Sequence, residues 1–393
     1  MEKLFDRESE AILQTYARLP IAVDHAVGCY VYDKSGKKYL DFLAGIAVNA
    51  LGHSHPKIIE AATKQMKRYM HVSNYFYQDI QIELAETIKK LSGYDRVFYS
   101  NSGTEAVEGA IKLARRWGKK NDKSQMVAFS GGFHGRTFGP LSLLDKPHYK
   151  ADMGPFLENM NVIQYNKPNL LRSHLNSSIA AVILEFVQGE GGVEKANHEF
   201  VETLFELREQ HNFLIIADEI QAGAGRTGKF FGFDNFGVKP DIVTMAKGVG
   251  GGMPLGAILV REHLAEVFEK GMHGTTYGGN AVACATGLVV LDELENGLMD
   301  HVAEVGEYLH IKLEEIKKKY YKYIAEVRGL GLMKGLLFNH DAGKVVKKLI
   351  ENGVITNAAS GYVLRMVPPL IVSKEEINEF IEILDKSLEE IYK

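Results

Sequence analysis

Lys247 and Asp218 are the two residues whose positions most clearly suggest chemistry. Lys247 follows the apolar run 241–246 and directly precedes the glycine-rich segment 248–252. Asp218 ends a second apolar run, 213–217, earlier in the chain. Such runs are typical of buried parallel strands, whose carboxyl ends share the ligand-binding edge of an open sheet. The sequence therefore predicts that an amine and a carboxylate meet at one edge.

An amine and a carboxylate at one edge suit a cofactor with an aldehyde and a basic ring nitrogen. The lysine can form a Schiff base with the aldehyde, and the acid can keep the ring nitrogen protonated, as pyridoxal 5'-phosphate (PLP) requires. Gln221 lies close enough in sequence to hydrogen bond to the ring hydroxyl. The alternative is a structural salt bridge at Asp218, since a buried acid is costly unless it is paired.

A third segment could bind a phosphate group. Ser102, Gly103 and Thr104 follow the strand candidate 97–99 and precede a helix predicted over 104–117. Backbone N–H groups and the dipole at a helix start favour a dianion, and the two hydroxyls could add hydrogen bonds. The alternative is an ordinary N-cap on this helix.

A glycine-flanked segment, 131–137, carries Phe133 and Arg136 after another strand candidate. The phenyl ring could stack on a cofactor ring, and the guanidinium could pair with a substrate carboxylate. The alternative is a core phenylalanine and a surface arginine.

Two further loops carry polar side chains between glycines. Glu190 could neutralise an active-site arginine, or it could be a solvated loop acid. Thr275 and Thr276 begin a loop that could reach a phosphate, including one across a subunit boundary.

The overall composition is that of a soluble cytoplasmic enzyme whose cysteines are reduced. The 393 residues carry a formal charge of −4 and are 46% hydrophobic, which favours neither a nucleic-acid nor a membrane partner. Cys29 and Cys284 are far apart and form no disulfide or metal pattern. His53 and His55 lack further ligands at metal spacing, so we expect them to be structural and expect no metal site.

The pattern of elements predicts an α/β fold with a mainly parallel sheet flanked by helices. We expect a large domain over 56–289 and a smaller α+β domain formed by 1–55 together with 290–393. A hairpin is predicted over 29–42, and a capping box, Ser373 with Glu376, should open the last helix. The strand candidates of the large domain are 97–99, 126–129, 162–165, 180–185, 214–217, 241–244 and 255–260, and those of the tail are 324–338 and 362–367, with helices at about 280–320 and 342–352.

Several short motifs occur together in one order that resembles the class III aminotransferases, which are fold-type I PLP enzymes. The resemblance extends from residue 28 to the last helix and implies a seven-stranded sheet, PLP as cofactor and a homodimer with shared active sites. The motifs are SGTEA (102–106), FHGRT (133–137), QGEGG (188–192), DEIQ (218–221), GRTG (225–228), AKG (246–248) and TYGGN (276–280).

The resemblance implies roles around the cofactor ring. Lys247 would be the Schiff-base lysine and proton shuttle, and Asp218 would pair with the pyridinium nitrogen. Gln221 would contact the ring hydroxyl. Phe133 would stack on the ring, beside His134 in the same cofactor-binding segment.

The resemblance also implies how phosphate and substrate would be held. Ser102, Gly103 and Thr104 would bind the phosphate, joined by Thr276 of the other subunit. Arg365 would bind the substrate α-carboxylate, and Glu190 would cover this arginine in one half-reaction. Arg136 would hold the far end of the substrate, near Thr275 and Ile46. These assignments cover the predicted cofactor and substrate sites: Ser102, Gly103, Thr104, Phe133, His134, Arg136, Glu190, Asp218, Gln221, Lys247, Thr275, Thr276, Arg365 and Ile46.

Within the class, the segment 41–53 is most similar to acetylornithine aminotransferases. Ile46 falls where ornithine aminotransferases carry a tyrosine that orients free ornithine. The resemblance implies transfer of the terminal amino group of N-acetylornithine to 2-oxoglutarate, in arginine biosynthesis. Alternative donors are succinylornithine, N-succinyl-diaminopimelate, ornithine and 4-aminobutyrate. Three departures from the family pattern, Phe186, Ala222 and Ala281, fall near the predicted pocket.

Overall fold

A computed structural model describes residues 2–392 of the chain. Its helices are α1 (Glu2–Ala11), α2 (Ala44–Ala47), α3 (Pro56–Arg68), α4 (Asp79–Ser92), α5 (Gly103–Lys120), α6 (Phe138–Ser142), α7 (Pro147–Lys150), α8 (Pro168–His174), α9 (His198–His211), α10 (Ala281–Glu293), α11 (Met299–Lys319), α12 (Gly343–Glu351) and α13 (Lys374–Tyr392). Its strands are β1 (Val23–Val27), β2 (Tyr30–Asp33), β3 (Lys38–Asp41), β4 (Arg96–Ser100), β5 (Gln125–Phe129), β6 (Met160–Ile163), β7 (Ile179–Leu184), β8 (Val187–Gln188), β9 (Glu194–Lys195), β10 (Leu214–Asp218), β11 (Ile242–Met245), β12 (Gly256–Val260), β13 (Ile324–Leu330), β14 (Met333–Phe338), β15 (Val354–Ile355), β16 (Asn357–Ala359) and β17 (Val363–Met366).

The largest sheet has seven strands in the order β4-β12-β11-β10-β7-β5-β6. β12 is antiparallel to β11 and β4, whereas the remaining neighbours pair in parallel. Every residue of β7, β10 and β11 is buried, because helices cover both faces of the sheet. The predicted α/β class with a mainly parallel seven-stranded sheet is confirmed.

The pairing of β10 with β11 places the two predicted chemical groups at one edge. Asp218, the last residue of β10, is level with Thr244 of β11. Lys247 follows the end of β11 by two residues and begins a short 3₁₀ turn, 247–250. The carboxylate and the amine therefore lie at the same carboxyl edge of the sheet, as the sequence predicts.

The two ends of the chain meet in smaller sheets. β15 pairs in parallel with β3, so that residues 354–355 join the N-terminal strands β1, β2 and β3. A second four-stranded sheet has the order β13-β14-β17-β16. The predicted domain boundaries, 56–289 and 1–55 with 290–393, stay a prediction; residue 289 falls inside α10.

Two predicted elements are divided in the structure. The predicted strand 324–338 is wrong as one strand, because β13 and β14 form an antiparallel hairpin in which Gly331 has φ +51°. The helical region at 280–320 breaks between α10 and α11, where Gly297 has φ +108°. A left-handed backbone conformation favours glycine, and a glycine is present at both breaks.

The capping box of α13 is present as predicted. The backbone N–H of Ser373 donates to Glu376 Oε2 at 2.8 Å, and the N–H of Glu376 donates to Ser373 Oγ at 3.1 Å. Among residues 2–392, no helix is long and apolar enough to cross a membrane.

Candidate active site

A cavity of about 430 Å³ opens at the carboxyl edge of the large sheet. Its polar lining comes from the ends of β7, β10 and β11, the start of α5 and the two glycine-rich segments at 131–137 and 188–192. Most residues predicted to form a site line it: Ser102, Gly103, Thr104, Phe133, His134, Arg136, Glu190, Asp218, Gln221 and Lys247.

Asp218 is held by a buried histidine. His134 Nδ1 lies 2.7 Å from Asp218 Oδ2, and the backbone N–H of Ile220 donates to Asp218 Oδ1 at 3.2 Å. Burial by itself lowers the pKa of His134, but the hydrogen bond to Asp218 and the charges of Asp218 and Glu185 outweigh it and raise the pKa. A protonated imidazole keeps this carboxylate charged and oriented, which a cationic ring nitrogen needs.

Lys247 has an unusual backbone and a perturbed amine. Its φ of +50° lies in the left-handed region, which is uncommon for a non-glycine residue and costly unless the surrounding structure imposes it. Burial of the ammonium, followed by the charge of Arg365, lowers the pKa of Lys247. A larger fraction of the amine is therefore neutral, and only the neutral amine is nucleophilic or basic.

The start of α5 leaves backbone donors for an anion. Ser102 caps the helix by accepting from the N–H of Glu105 at 3.3 Å, and its carbonyl accepts from the N–H of Ala106 at 3.1 Å. The N–H groups of Gly103 and Thr104 have no acceptor among the described residues and line the cavity. Both interpretations of Ser102, as N-cap and as part of an anion site, are compatible with this geometry.

Thr104 also fastens the segment 131–137 to α5. Its Oγ1 accepts from the N–H of Arg136 at 3.1 Å and of Thr137 at 3.2 Å. Gly135, between Arg136 and His134, has φ +127°, and a Cβ on it would lie 2.2 Å from Thr104 Oγ1. This contact leaves room for a hydrogen atom only.

We expect Gly135→Ala to lower the free energy of unfolding by about 2–3 kcal/mol, because strain and overlap add. Urea denaturation measures it. Gly297→Ala is the control, since φ there is +108° and nothing lies within 4 Å of an added Cβ. Equal losses in the two variants would mean that backbone strain alone matters and that the Thr104 contact is unimportant.

Arg365 is buried and paired with Glu190. Its Nη1 lies 2.6 Å from Glu190 Oε1 and 3.3 Å from Gln221 Oε1, and its Nε donates to Asn357 Oδ1 at 3.1 Å. Arg365 is only 1% exposed. A substrate carboxylate can reach this guanidinium only if Glu190 moves aside.

Arg136 lies at the open side of the cavity, above an aromatic residue that the sequence reasoning missed. Its guanidinium carbon is 3.5 Å from the ring centre of Tyr149 and 5.6 Å from that of Phe133. Tyr149 lies in the short helix α7, and no motif or spacing singles it out. Cation–π contacts of this kind hold an arginine in place while leaving its N–H donors free.

Glu185, which directly follows β7, accepts hydrogen bonds from both glycine-rich segments. It accepts from the N–H of Phe133 at 2.8 Å and of Gly189 at 3.0 Å. Burial and then the charge of Asp218 raise the pKa of Glu185 to about 7. Among residues 2–392 it forms no salt bridge with an arginine, whereas Glu190 pairs with Arg365.

Four predicted residues lie outside the cavity lining. One is Arg365, which contacts the lining through Glu190 and Gln221. Ile46 is 40% exposed, with φ +66°. Thr275 Oγ1 accepts from Asn101 Nδ2 at 3.1 Å and from the N–H of Gly278 at 3.2 Å, and Thr276 is exposed. The family departures Phe186, Ala222 and Ala281 are buried, and none of them lines the cavity.

Comparison with known families settles the class of the protein. The family model Aminotransferase class-III matches residues 12–388. The chain belongs to the class III aminotransferases. The acetylornithine aminotransferase of Methanocaldococcus jannaschii, in the same class, is 43% identical over 396 residues, covering 100% of this chain and 99% of the relative.

Solved structures of aminotransferases share the fold of this class III chain. An ornithine aminotransferase from Toxoplasma gondii, described with partial occupancy of PLP at its active site, matches with a TM-score of 0.94 and 32% identity, covering 100% of this chain and 96% of that one. The acetylornithine aminotransferase of Elizabethkingia anophelis matches with a TM-score of 0.89 and 34% identity, covering 99% of each chain.

The donor set of the cavity fits PLP, the cofactor of class III aminotransferases. The free N–H groups at the start of α5 suit a phosphate, and the Asp218–His134 pair suits a protonated ring nitrogen. The amine of Lys247 lies at the same edge for the aldehyde. Within the described residues no cluster of three or more histidine, cysteine or acidic side chains could hold a metal ion, and His53 pairs with Asp41 at 2.7 Å.

Proposed function

We propose that this class III aminotransferase transfers the terminal amino group of N-acetylornithine to 2-oxoglutarate, giving N-acetylglutamate semialdehyde and glutamate. The observation that carries the proposal is the 43% identity to an acetylornithine aminotransferase over the whole chain. The geometry supports it, because an amine, an acid and an anion site line one cavity, and the buried Arg365 lies directly behind its lining residues Glu190 and Gln221. We place the reaction in the cytoplasm and in arginine biosynthesis.

Two residues of the chain would carry the proton chemistry. When bound, PLP supplies the aldehyde that takes the amino group and a ring that accepts the electrons left on the substrate carbon. Lys247 Nζ, with its lowered pKa, would remove the proton from the carbon that bears the amino group and return one during the second half-reaction. Asp218, fixed by His134, would keep the ring nitrogen protonated.

The remaining residues would orient the two substrates. Arg136, on its Tyr149 support, would bind the far carboxylate of either substrate, and Arg365 would bind an α-carboxylate at the reacting end. N-acetylornithine presents its terminal amine there and no carboxylate, so Glu190 would stay paired with Arg365 in that half-reaction. When 2-oxoglutarate enters, Glu190 would swing away and release the guanidinium.

The active site would be completed by a second copy of the chain. Thr276 is exposed on a loop that Asn74 holds by donating to the carbonyls of Thr275 and Gly278 at 3.3 and 3.1 Å. Beside Asn74, Tyr75 is 95% and Tyr77 is 101% exposed, an unusual density of bare aromatic surface for a monomer. A homodimer would cover these rings and bring Thr276 to the partner's phosphate site.

Ile46 offers a test of donor choice. We expect Ile46→Tyr to raise kcat/KM for free ornithine relative to N-acetylornithine by about tenfold, because a phenol could hydrogen bond to the α-amino group that the acetyl group otherwise masks. Steady-state kinetics with both donors measure the ratio. Ile59→Tyr, at a residue that is 53% exposed in α3, is the control. An unchanged ratio in Ile46→Tyr would remove Ile46 from the substrate site.

Free ornithine is the second candidate donor, because the Toxoplasma gondii ornithine aminotransferase has so similar a backbone. Single-turnover absorbance of the PLP-loaded protein separates the candidates. N-acetylornithine, N-succinylornithine, ornithine and 4-aminobutyrate are added separately, and loss of the absorbance of the aldehyde form of the cofactor is followed. We expect the fastest loss with N-acetylornithine. Faster loss with another donor would overturn the proposed substrate and leave the family assignment intact.

A further inference from the structure

A second cavity, of about 580 Å³, lies away from the active site. It is bordered by β9, by α11 and by the hairpin of β13 and β14, and it shares no lining residue with the first cavity. Its polar lining comes in part from Arg328 and Lys334 of this hairpin, to which the proposed reaction gives no role.

A buried lysine, Lys334, lines this second cavity. Lys334 is 4% exposed, and within the described residues its Nζ donates a hydrogen bond only to the carbonyl of Gly329, at 3.5 Å. It forms no salt bridge with any described residue. Burial lowers the pKa of Lys334 to about 8; the charge of Glu307 opposes this effect and that of Lys195 adds to it. A buried amine in this situation is stabilised by an anion that enters the cavity.

A second buried polar group of this cavity is the imidazole of His310. His310 Nδ1 is enclosed and has no hydrogen-bond partner among the described residues. Burial, and then the charge of Lys334, lowers the pKa of His310, so the ring is neutral and can present Nδ1–H as a donor. One cavity is therefore lined by a lysine with a single long hydrogen bond and by a histidine whose Nδ1 has none, although natural proteins rarely leave buried polar groups so poorly paired.

The acids around the second cavity decide which anion fits. Glu326 pairs with Arg328 at 2.6 Å, and Glu194 accepts from Asn166 at 2.9 Å. Glu307, one helical turn before His310 on α11, is exposed and accepts no hydrogen bond among residues 2–392. Lys195 and Arg328 also line the cavity, and with Lys334 they balance the three carboxylates. A dianion would leave this site with a net negative charge. A ligand with one carboxylate and one ammonium keeps the balance and complements Lys334 and Glu307 together.

We propose that this cavity binds a small α-amino acid as a zwitterion, with its carboxylate on Lys334 and His310 and its ammonium on Glu307. The site is built from residues outside the catalytic machinery. Its occupancy therefore does not depend on which amino donor the enzyme uses.

Acylation of lysine amines by acetic anhydride, followed by mass spectrometry of the peptides, tests the proposal on the holoenzyme. The rate at Lys334 is divided by the rate at Lys344, an exposed lysine of α12, in the same sample. This ratio cancels the reagent that a free amino acid consumes. The probes are L-alanine and propionate, which differ by the ammonium group alone.

We expect saturating L-alanine to lower the rate ratio by about fivefold or more, because an amine paired with a carboxylate is protonated and shielded. Propionate should need an about fivefold higher concentration for half protection, because it lacks the pairing with Glu307. In Glu307→Gln, the two probes should protect at similar concentrations. Absence of protection by either probe would overturn the site, and equal protection by both in the wild-type enzyme would overturn its assignment to a zwitterion.

Discussion

Lys247→Ala should lose at least about 10⁴-fold in kcat/KM while keeping its fold, because the amine is both the attachment point of the cofactor and the proton carrier. The side chain lies at the end of β11, not in the sheet interior. Its removal deletes an amine whose burial costs free energy, so we expect unfolding to be no easier than in the wild-type protein. Steady-state kinetics with both substrates and urea denaturation measure the two effects.

Lys344→Ala is the control for the loss of a lysine, since this residue is exposed in α12 and far along the chain from the cavity. An added primary amine, such as ethylamine, should restore part of the lost activity in Lys247→Ala by acting as an external base. Transamination by Lys247→Ala at more than about one hundredth of the wild-type rate would refute the assigned role.

The sequence predicts the active-site edge well because the signals there are local. An apolar run followed by glycine or by an acid marks a strand end, and parallel strands bring such ends together, as they do for Asp218 and Lys247. The capping box of Ser373 and Glu376 is a four-residue pattern and is present in the structure. These predictions need no knowledge of distant contacts.

Contacts between distant segments are the part that the sequence alone leaves open. Glu190 and Arg365 are 175 residues apart, and their pairing follows from the packing of the 188–192 loop against β17. The family resemblance predicts this pairing, whereas the pattern of strands in the sequence does not. The same limit explains why the sequence did not single out Tyr149 beneath Arg136, since a single aromatic residue in a short helix has no periodicity to mark it.

Strand direction is a second property that composition does not encode. β12 reads as another short buried run, yet it is antiparallel to both its neighbours. The turn at Gly331 escapes the sequence pattern for a related reason, because apolar residues continue directly on both sides of this glycine, at Leu330 and Leu332. In each case the backbone path is set by tertiary pairing that outweighs the local pattern.

Asp218→Asn should lower kcat by about 10³-fold and weaken PLP binding, because a neutral amide cannot hold the proton on the ring nitrogen. The substitution keeps the size and shape of the side chain, so the effect isolates the charge. Cofactor affinity is measured by titrating the apoprotein with PLP, and kcat by steady-state assay. Asp152→Asn, at an exposed position with φ +59°, is the control. A loss smaller than about tenfold would mean that Asp218 is not the partner of the ring nitrogen.

The free energy of unfolding of Asp218→Asn should also show whether Asp218 and a protonated His134 form an ion pair. In the wild-type protein the pKa of His134 is raised, so its protonation stabilises the fold below the unfolded pKa, and this contribution is lost as pH rises through the folded pKa. Without the carboxylate, burial alone acts on His134 and lowers its pKa. The deficit of Asp218→Asn in unfolding free energy should therefore be larger at about pH 6 than at about pH 9. A deficit that does not change with pH would show that His134 holds Asp218 as a neutral ring.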